Sequence, residues 1–345
     1  MSQNLWLNRR TFIRNAGMTA LVGAASSGNS LASPMTNLPS RQTGSTTYDF
    51  DTVYDRTGTN SVKWDSAIAR YGRENIDVGM GIADMDFQAP PCITQALAER
   101  CKHENWGYMS TPRSFYQQIA DWDMRRNGLE VDPESITLSD GVHPALIAAL
   151  KAVSPPGSKV LLTTAVYSGF YMDLRQSRTL EENSPMIEEN GRYRIDFDDF
   201  ESRMSHDTDA LILCNPQNPT GNCWSEEDLL RLGRMCLEHR VVVLSDEIHC
   251  DFVMKGQKYT PFASLPDKEV VDNSITFKAA SKSFSLAAMK IAWFFSTNPE
   301  LLALVRAQHR ANTNSLGVVA NQGALTDEGA DWLDQVNAYI DGNQD

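Results

Sequence analysis

A lysine flanked by serines, Ser281-Lys282-Ser283, follows the short β-prone run Ser274–Phe277. The small residues around it let the backbone turn tightly and approach a ligand closely. A lysine at the end of a buried strand can lose its proton by desolvation and act as an amine nucleophile toward a carbonyl. Lys290, eight residues on, offers a second cation near the same turn. Taken alone this stretch also fits an ordinary solvated lysine, so the other strand ends carry the argument.

Ligands of open α/β sheets bind beyond the carboxyl ends of the strands. After the run Ser135–Leu138 comes Ser139-Asp140-Gly141-Val142-His143-Pro144 and a helical pattern. A glycine there leaves backbone N–H groups at a helix start, which suits an anion as well as a plain cap. After Lys159–Leu162 comes Tyr167, an aromatic that could pack or stack on a flat ligand. After Ala210–Leu213 comes Cys214-Asn215-Pro216-Gln217-Asn218-Pro219-Thr220-Gly221. Two Asn-Pro pairs and a glycine make a rigid turn that holds Asn218 as a directed donor. After Arg240–Leu244 comes Ser245-Asp246-Glu247-Ile248-His249. A carboxylate at the end of a buried strand needs a partner, either local backbone or a protonated ring nitrogen. Anion turn, stacking ring, amide donor, buried acid and amine nucleophile together fit a phosphorylated, aromatic, aldehyde-bearing cofactor, namely pyridoxal phosphate.

The elements that must position these groups follow from the patterning. From about residue 135 the strand-like runs alternate with amphipathic segments, among them Pro144–Val153, Ser225–His239 and Glu300–Arg310. Such alternation predicts parallel strands with crossover helices. Helical patterning also appears around Ile93–Lys102 and Ser114–Arg126. The 345 residues are 41% hydrophobic and 22% charged, as expected for one large α/β domain or two domains. The net charge of −13 argues against nucleic acid and anionic membrane as partners. Six cysteines without a CxxC pair argue against a disulfide framework or a zinc ribbon, and buried free thiols are expected. No GxGxxG follows an early strand, which disfavours a dinucleotide-binding dehydrogenase.

Residues 1–32 read as an export segment. Asn8-Arg9-Arg10-Thr11-Phe12-Ile13-Arg14 resembles the twin-arginine motif, and a mildly apolar run and Ser30-Leu31-Ala32 follow it. The run is too short and too rich in Gly and Thr for a stable membrane anchor, so a periplasmic or secreted location is expected. Residues 33–47 read as a Ser/Thr/Pro/Gly linker.

Several motifs together carry a family resemblance. They are Asn215 to Gly221, Asp246 and Ser281-Lys282, with Tyr48-Asp49-Phe50-Asp51-Thr52-Val53, Arg56, Ser61-Val62-Lys63-Trp64-Asp65, Ala83-Asp84-Met85-Asp86-Phe87, Trp106-Gly107-Tyr108 and Ser245 to His249. The chain resembles fold-type-I pyridoxal-phosphate enzymes of the class I/II aminotransferase superfamily. Within them it is similar to the cystathionine β-lyase-type C–S lyases (MalY/PatB-like). The resemblance implies a three-layer α/β/α large domain with a mostly parallel sheet over residues 91–300. It also implies a small α+β domain, joined by residues 48–90 and opened by 301–345. It makes Lys282 the cofactor-binding amine and the base at the substrate Cα. Asp246 would hold the pyridine nitrogen protonated, Asn218 the phenolic oxygen with His249 beside it, and Tyr167 the face of the ring. The amides of Gly141, Val142 and His143, the Ser281 side chain and Lys290 would hold the phosphate. Tyr108 would reach the phosphate of a neighbouring subunit, which implies a homodimer. The implied reaction is α,β-elimination on an L-cysteine S-conjugate such as cystathionine, giving thiol, pyruvate and ammonia.

The chain departs from the family pattern at three places. His143 stands where the family has a small or aliphatic residue, and Ala165 where it has a proline. Residues 311–345 hold no arginine, although the family grips the substrate carboxylate with one in its C-terminal segment. A truncated C-terminal domain is expected on that basis. An aminotransferase, or a non-catalytic protein that keeps the cofactor fold, are the alternatives.

Overall fold

The computed structural model describes residues 46–344. The expected export segment and most of the linker lie outside the described residues. The helices that matter for the site are α1 (Pro91–Cys101), α2 (Arg113–Asn127), α3 (Val142–Val153), α4 (Gly169–Ser177), α5 (Glu226–Glu238), α6 (Pro299–Gln308), α7 (Ser315–Ala324) and α8 (Asp327–Gly342). The strands are β1 (Thr137–Ser139), β2 (Lys159–Thr164), β3 (Leu180–Pro185), β4 (Ile187–Glu189), β5 (Arg192–Arg194), β6 (Thr208–Cys214), β7 (Val242–Asp246), β8 (Ser274–Lys278) and β9 (Ala292–Phe295).

Seven strands form one sheet in the order β1-β9-β8-β7-β6-β2-β3, and β4 and β5 form a separate hairpin. Strands β3, β2, β6, β7 and β8 pair in parallel, while β9 runs antiparallel to both β8 and β1. Only β9 is reversed, so the ends of β1, β2, β6, β7 and β8 all lie on one edge of the sheet. The α/β architecture with a mostly parallel sheet is as the sequence leads one to expect.

The strands read as unbroken apolar runs because both faces are covered. Along β6, Ala210, Ile212 and Cys214 pack on one side with Leu146, Phe170 and Phe294, and Leu211 and Leu213 on the other with Leu229, Leu232 and Phe262. Ser225 caps α5 by accepting from the Asp228 N–H at 3.0 Å, and Glu226, Glu227 and Asp228 complement the helix start. A third cluster, around Phe115, Trp122, Phe284 and Trp332, joins α2 and α8 to the turn after β8.

Several sequence readings need correction. β3 and α4 went unseen because Leu180-Glu-Glu-Asn-Ser-Pro185 has no apolar alternation and α4 is short. α7 and the reversed strand β9 also escaped the patterning. The cysteines are all free, but only Cys214 and Cys236 are buried, and Cys101 is exposed.

At the end of β8, Lys278 forms an ion pair with Asp123 of α2, and both side chains are almost wholly withdrawn from water. Removing one member of such a pair strands the other charge, whereas replacing both by apolar groups is often neutral. Asp123→Ala should therefore cost about 3–5 kcal/mol. The double change Asp123→Leu with Lys278→Met should recover most of that loss, as measured by urea denaturation.

Candidate active site

The register of the sheet sets three of the five predicted groups at one level. Cys214 pairs with Asp246 across β6 and β7, and Asp246 with Phe277 across β7 and β8. The Asn-Pro turn, the acid and the Ser-Lys turn thus leave the sheet at one level. The Thr164 end of β2 and the start of α3 lie on the same edge.

Asp246 is 5% exposed, and the Ile248 N–H donates to its Oδ1 at 3.1 Å. Burial with so little compensation raises its carboxyl to about 7. Lys282 is half-buried, and desolvation holds its ammonium below the ordinary lysine range, against the pull of Asp246 and Asp84. Its Nζ donates to the Ala83 carbonyl at 3.4 Å. The sequence places two lysines at this strand end, and their surroundings separate them. Lys278 is locked as a cation by Asp123, and its value is raised by the surrounding carboxylates. Lys282 has no acid within ion-pair distance among the described residues.

The Asn-Pro turn is fixed from below. The buried Asn215 donates to the Thr260 carbonyl at 3.0 Å, and Gln217 donates to the Ala165 carbonyl at 2.8 Å. Asn218 is half-buried, and its side-chain amide has no hydrogen-bond partner among the described residues. Tyr167 is 38% exposed and meets Phe170 edge to face at 5.6 Å. His249 is half-buried, and desolvation with the Lys282 charge pushes its imidazole down to about 4, so it is neutral.

Gly141, His143 and Lys290 line one cavity with Asp140, Asn312 and Asn314. Val142, at the first turn of α3, is buried, and Ser281 is half-buried. Tyr108 stands apart: its side chain is fully exposed and makes no ring contact or hydrogen bond to the other candidate residues.

The N-terminal motifs form a pad over the lysine turn. Arg56 bridges Asp84 and Asp86 at 3.0 Å, and Lys63 holds Asp86 at 2.7 Å. The Trp64 indole also donates to Asp86, at 3.0 Å. The Met85 N–H donates to the Ser285 hydroxyl at 2.8 Å, fastening this pad beside Lys282. Sequence reasoning missed the ion cluster, and also Asp173 of α4, which is hydrogen-bonded to His143 at 2.7 Å. The unusual histidine was the one available signal for that pair.

A buried acid with one backbone partner, an amide without a partner among the described residues, a partly exposed aromatic ring and a depressed lysine are each incomplete alone. Together they fit a flat heterocycle with a basic nitrogen, an oxygen substituent and an aldehyde, and the cavity with Lys290 fits its phosphate.

Comparisons with known proteins establish the family of the chain. The family model for aminotransferase class I and II matches residues 75–345, and the chain belongs to that family. It is 40% identical over 302 residues to the cystathionine beta-lyase PatB of Bacillus subtilis (strain 168), which covers 86% of this chain and 77% of PatB. Among solved structures it is similar to the PLP-bound C-S lyase from Staphylococcus hominis, with a TM-score of 0.80 and 33% identity over 86% of this chain and 75% of that one. Cystalysin from Treponema denticola, which contains a pyridoxal 5'-phosphate cofactor, has a TM-score of 0.82 and 29% identity over 87% of this chain and 77% of its own.

The raised Asp246 carboxyl has a stability consequence in the cofactor-free protein. Its folded value lies above the unfolded one, so the native state binds more protons and stability falls as pH rises from about 4 to 7. Asp246→Asn removes that loss. The variant should match wild type near pH 4 and exceed it above pH 7 by on the order of 4 kcal/mol, as read from denaturation curves across pH.

Proposed function

We propose that the protein is a pyridoxal-phosphate-dependent carbon–sulfur β-lyase acting on L-cysteine S-conjugates such as cystathionine. The observation that carries this reading is the meeting of Lys282, Asp246, Asn218 and Tyr167 at one sheet edge, in a chain 40% identical to a cystathionine beta-lyase. When bound, the cofactor supplies an electron sink for the bonding electrons of the substrate Cα–H.

The protein's residues supply position and charge. Asp246 accepts from the protonated ring nitrogen, a partner that also relieves its own buried charge. The Asn218 amide donates to the ring oxygen, with neutral His249 beside it. The partly exposed Tyr167 would stack on the ring. The first-turn amides Gly141, Val142 and His143, the Ser281 hydroxyl and Lys290 hold the phosphate. Lys282 would hold the aldehyde through its Nζ, and desolvation lowers the cost of giving up the proton on its ammonium. As a free amine, Lys282 would be the base that takes the proton from the substrate Cα. With the thiolate lost from Cβ, the remaining amino acid fragment would tautomerise to an imine that water hydrolyses to pyruvate and ammonia.

Purified protein with added pyridoxal phosphate should show an absorbance band that Lys282→Ala abolishes, with pyruvate release from L-cystathionine falling by about 1,000-fold or more. A band accompanied by keto-acid exchange and no pyruvate would make the protein an aminotransferase and overturn the lyase assignment.

We further propose a homodimer whose Tyr108 serves the phosphate of the neighbouring site. Its full exposure, beside half-exposed Trp106, is unusual for an unpartnered aromatic. Each hybrid of Tyr108→Ala and Lys282→Ala subunits then keeps one intact site. Mixing the two impaired variants should restore pyruvate release, and failure to do so would remove Tyr108 from that role.

A further inference from the structure

His143 is one of the places where the chain departs from the family pattern, and it is not a bystander in the crevice. Its Nδ1 lies 2.7 Å from Asp173 Oδ2, with the carboxylate side chain 2% exposed and the imidazole 44% exposed. Burying a carboxylate is costly unless its partner is fixed and carries positive charge or donates a hydrogen bond. A surface histidine needs no such support.

The ring is held from three sides. It packs on Tyr167 with centroids 5.6 Å apart and an interplanar angle of 39°. A Cβ at Gly169 would sit 2.7 Å from His143 Cε1 and 2.4 Å from Tyr167 Cε1, so both rings close over that glycine. With Nδ1 on Asp173 and Cε1 against Gly169, the open edge carries Nε2, which has no hydrogen-bond partner among the described residues. His143 lines the same cavity as Gly141 and Lys290, where the phosphate is assigned.

We propose that the His143 side chain, aimed by Asp173, contacts the cofactor phosphate through Nε2–H, so that cofactor binding is linked to protonation of this imidazole. The inference rests on the cofactor assignment above and adds a side-chain donor to the backbone amide already assigned. Asp173 accepts from Nδ1–H and thereby leaves Nε2 as the nitrogen that gains or loses the proton. The groups that face the imidazole are Asp173 on α4, Tyr167 before it, Asp246 at the end of β7, Lys282 after β8, and Asp140 and Lys290 in the cavity. The Asp173 hydrogen bond raises the imidazole above its ordinary value, Asp246 adds to that, and burial and Lys282 oppose it. A raised histidine is fully charged below its ordinary range and loses that charge as pH rises through the folded value. Its contribution to phosphate binding is therefore present at low pH and lost at high pH.

The test compares dissociation constants of pyridoxal phosphate and of phosphate-free pyridoxal, by equilibrium dialysis, for wild type, His143→Gln and Asp173→Asn. At about pH 6.5, His143→Gln should weaken pyridoxal phosphate about tenfold or more, and by less than about twofold near pH 9. Pyridoxal binding should be unaffected. Asp173→Asn should move the break in the pH curve downward, and the His143 NMR titration in wild type should shift upward with pyridoxal phosphate but not with pyridoxal. An equal loss at both pH values, an equal loss for pyridoxal, or an unmoved His143 titration would overturn this inference alone. Wild type that binds no pyridoxal phosphate at any pH would overturn the cofactor assignment with it.

Discussion

A carboxylate carried to the end of a buried strand is the constraint on which the site depends. Asp246 is 5% exposed, and the hydrogen bond it accepts comes from the Ile248 N–H. A lone charge in such a place is unfavourable, so the surroundings must either protonate it or present a cation to it. The sheet order answers that demand by aligning the ends of β6, β7 and β8. The acid ends the strand that lies between those leading to the Asn-Pro turn and the lysine turn.

The same economy separates Lys278 from Lys282. Four residues apart, one is a structural cation neutralised by Asp123 and the other an amine with no acid within ion-pair distance among the described residues. The structure spends an ion pair to anchor the strand end and withholds one from the residue beyond it. Charge is needed at the anchor, and readiness to lose it is needed at the nucleophile.

The α/β class and the strand ends were legible in the sequence because they are local. Continuous apolar runs mark doubly covered strands, and Asn218, Asp246 and Lys282 each follow such a run directly. What was not legible is paired across long separations. Asp123 with Lys278, Asp173 with His143, and Arg56 with Asp84 and Asp86 join residues whose partners no local pattern names. β9 was hidden because Ala292-Trp-Phe-Phe295 is only four residues long, and β3 because its residues are mostly polar. His143 was legible only as a departure from the family pattern, since its meaning lies in a carboxylate thirty residues away.

The fastening of the N-terminal pad to the lysine turn has a temporal side. Met85 is bound to Ser285 and Ala83 to Lys282, across 200 and 199 residues of chain. Contacts of such separation close late, because the intervening loop entropy must first be offset by local structure. During synthesis the pad at residues 83–87 emerges long before the turn it covers, and it must wait for β8 before it can dock. A small molecule would therefore meet the amine-bearing turn unroofed in any state where β8 has formed and the pad has not yet docked.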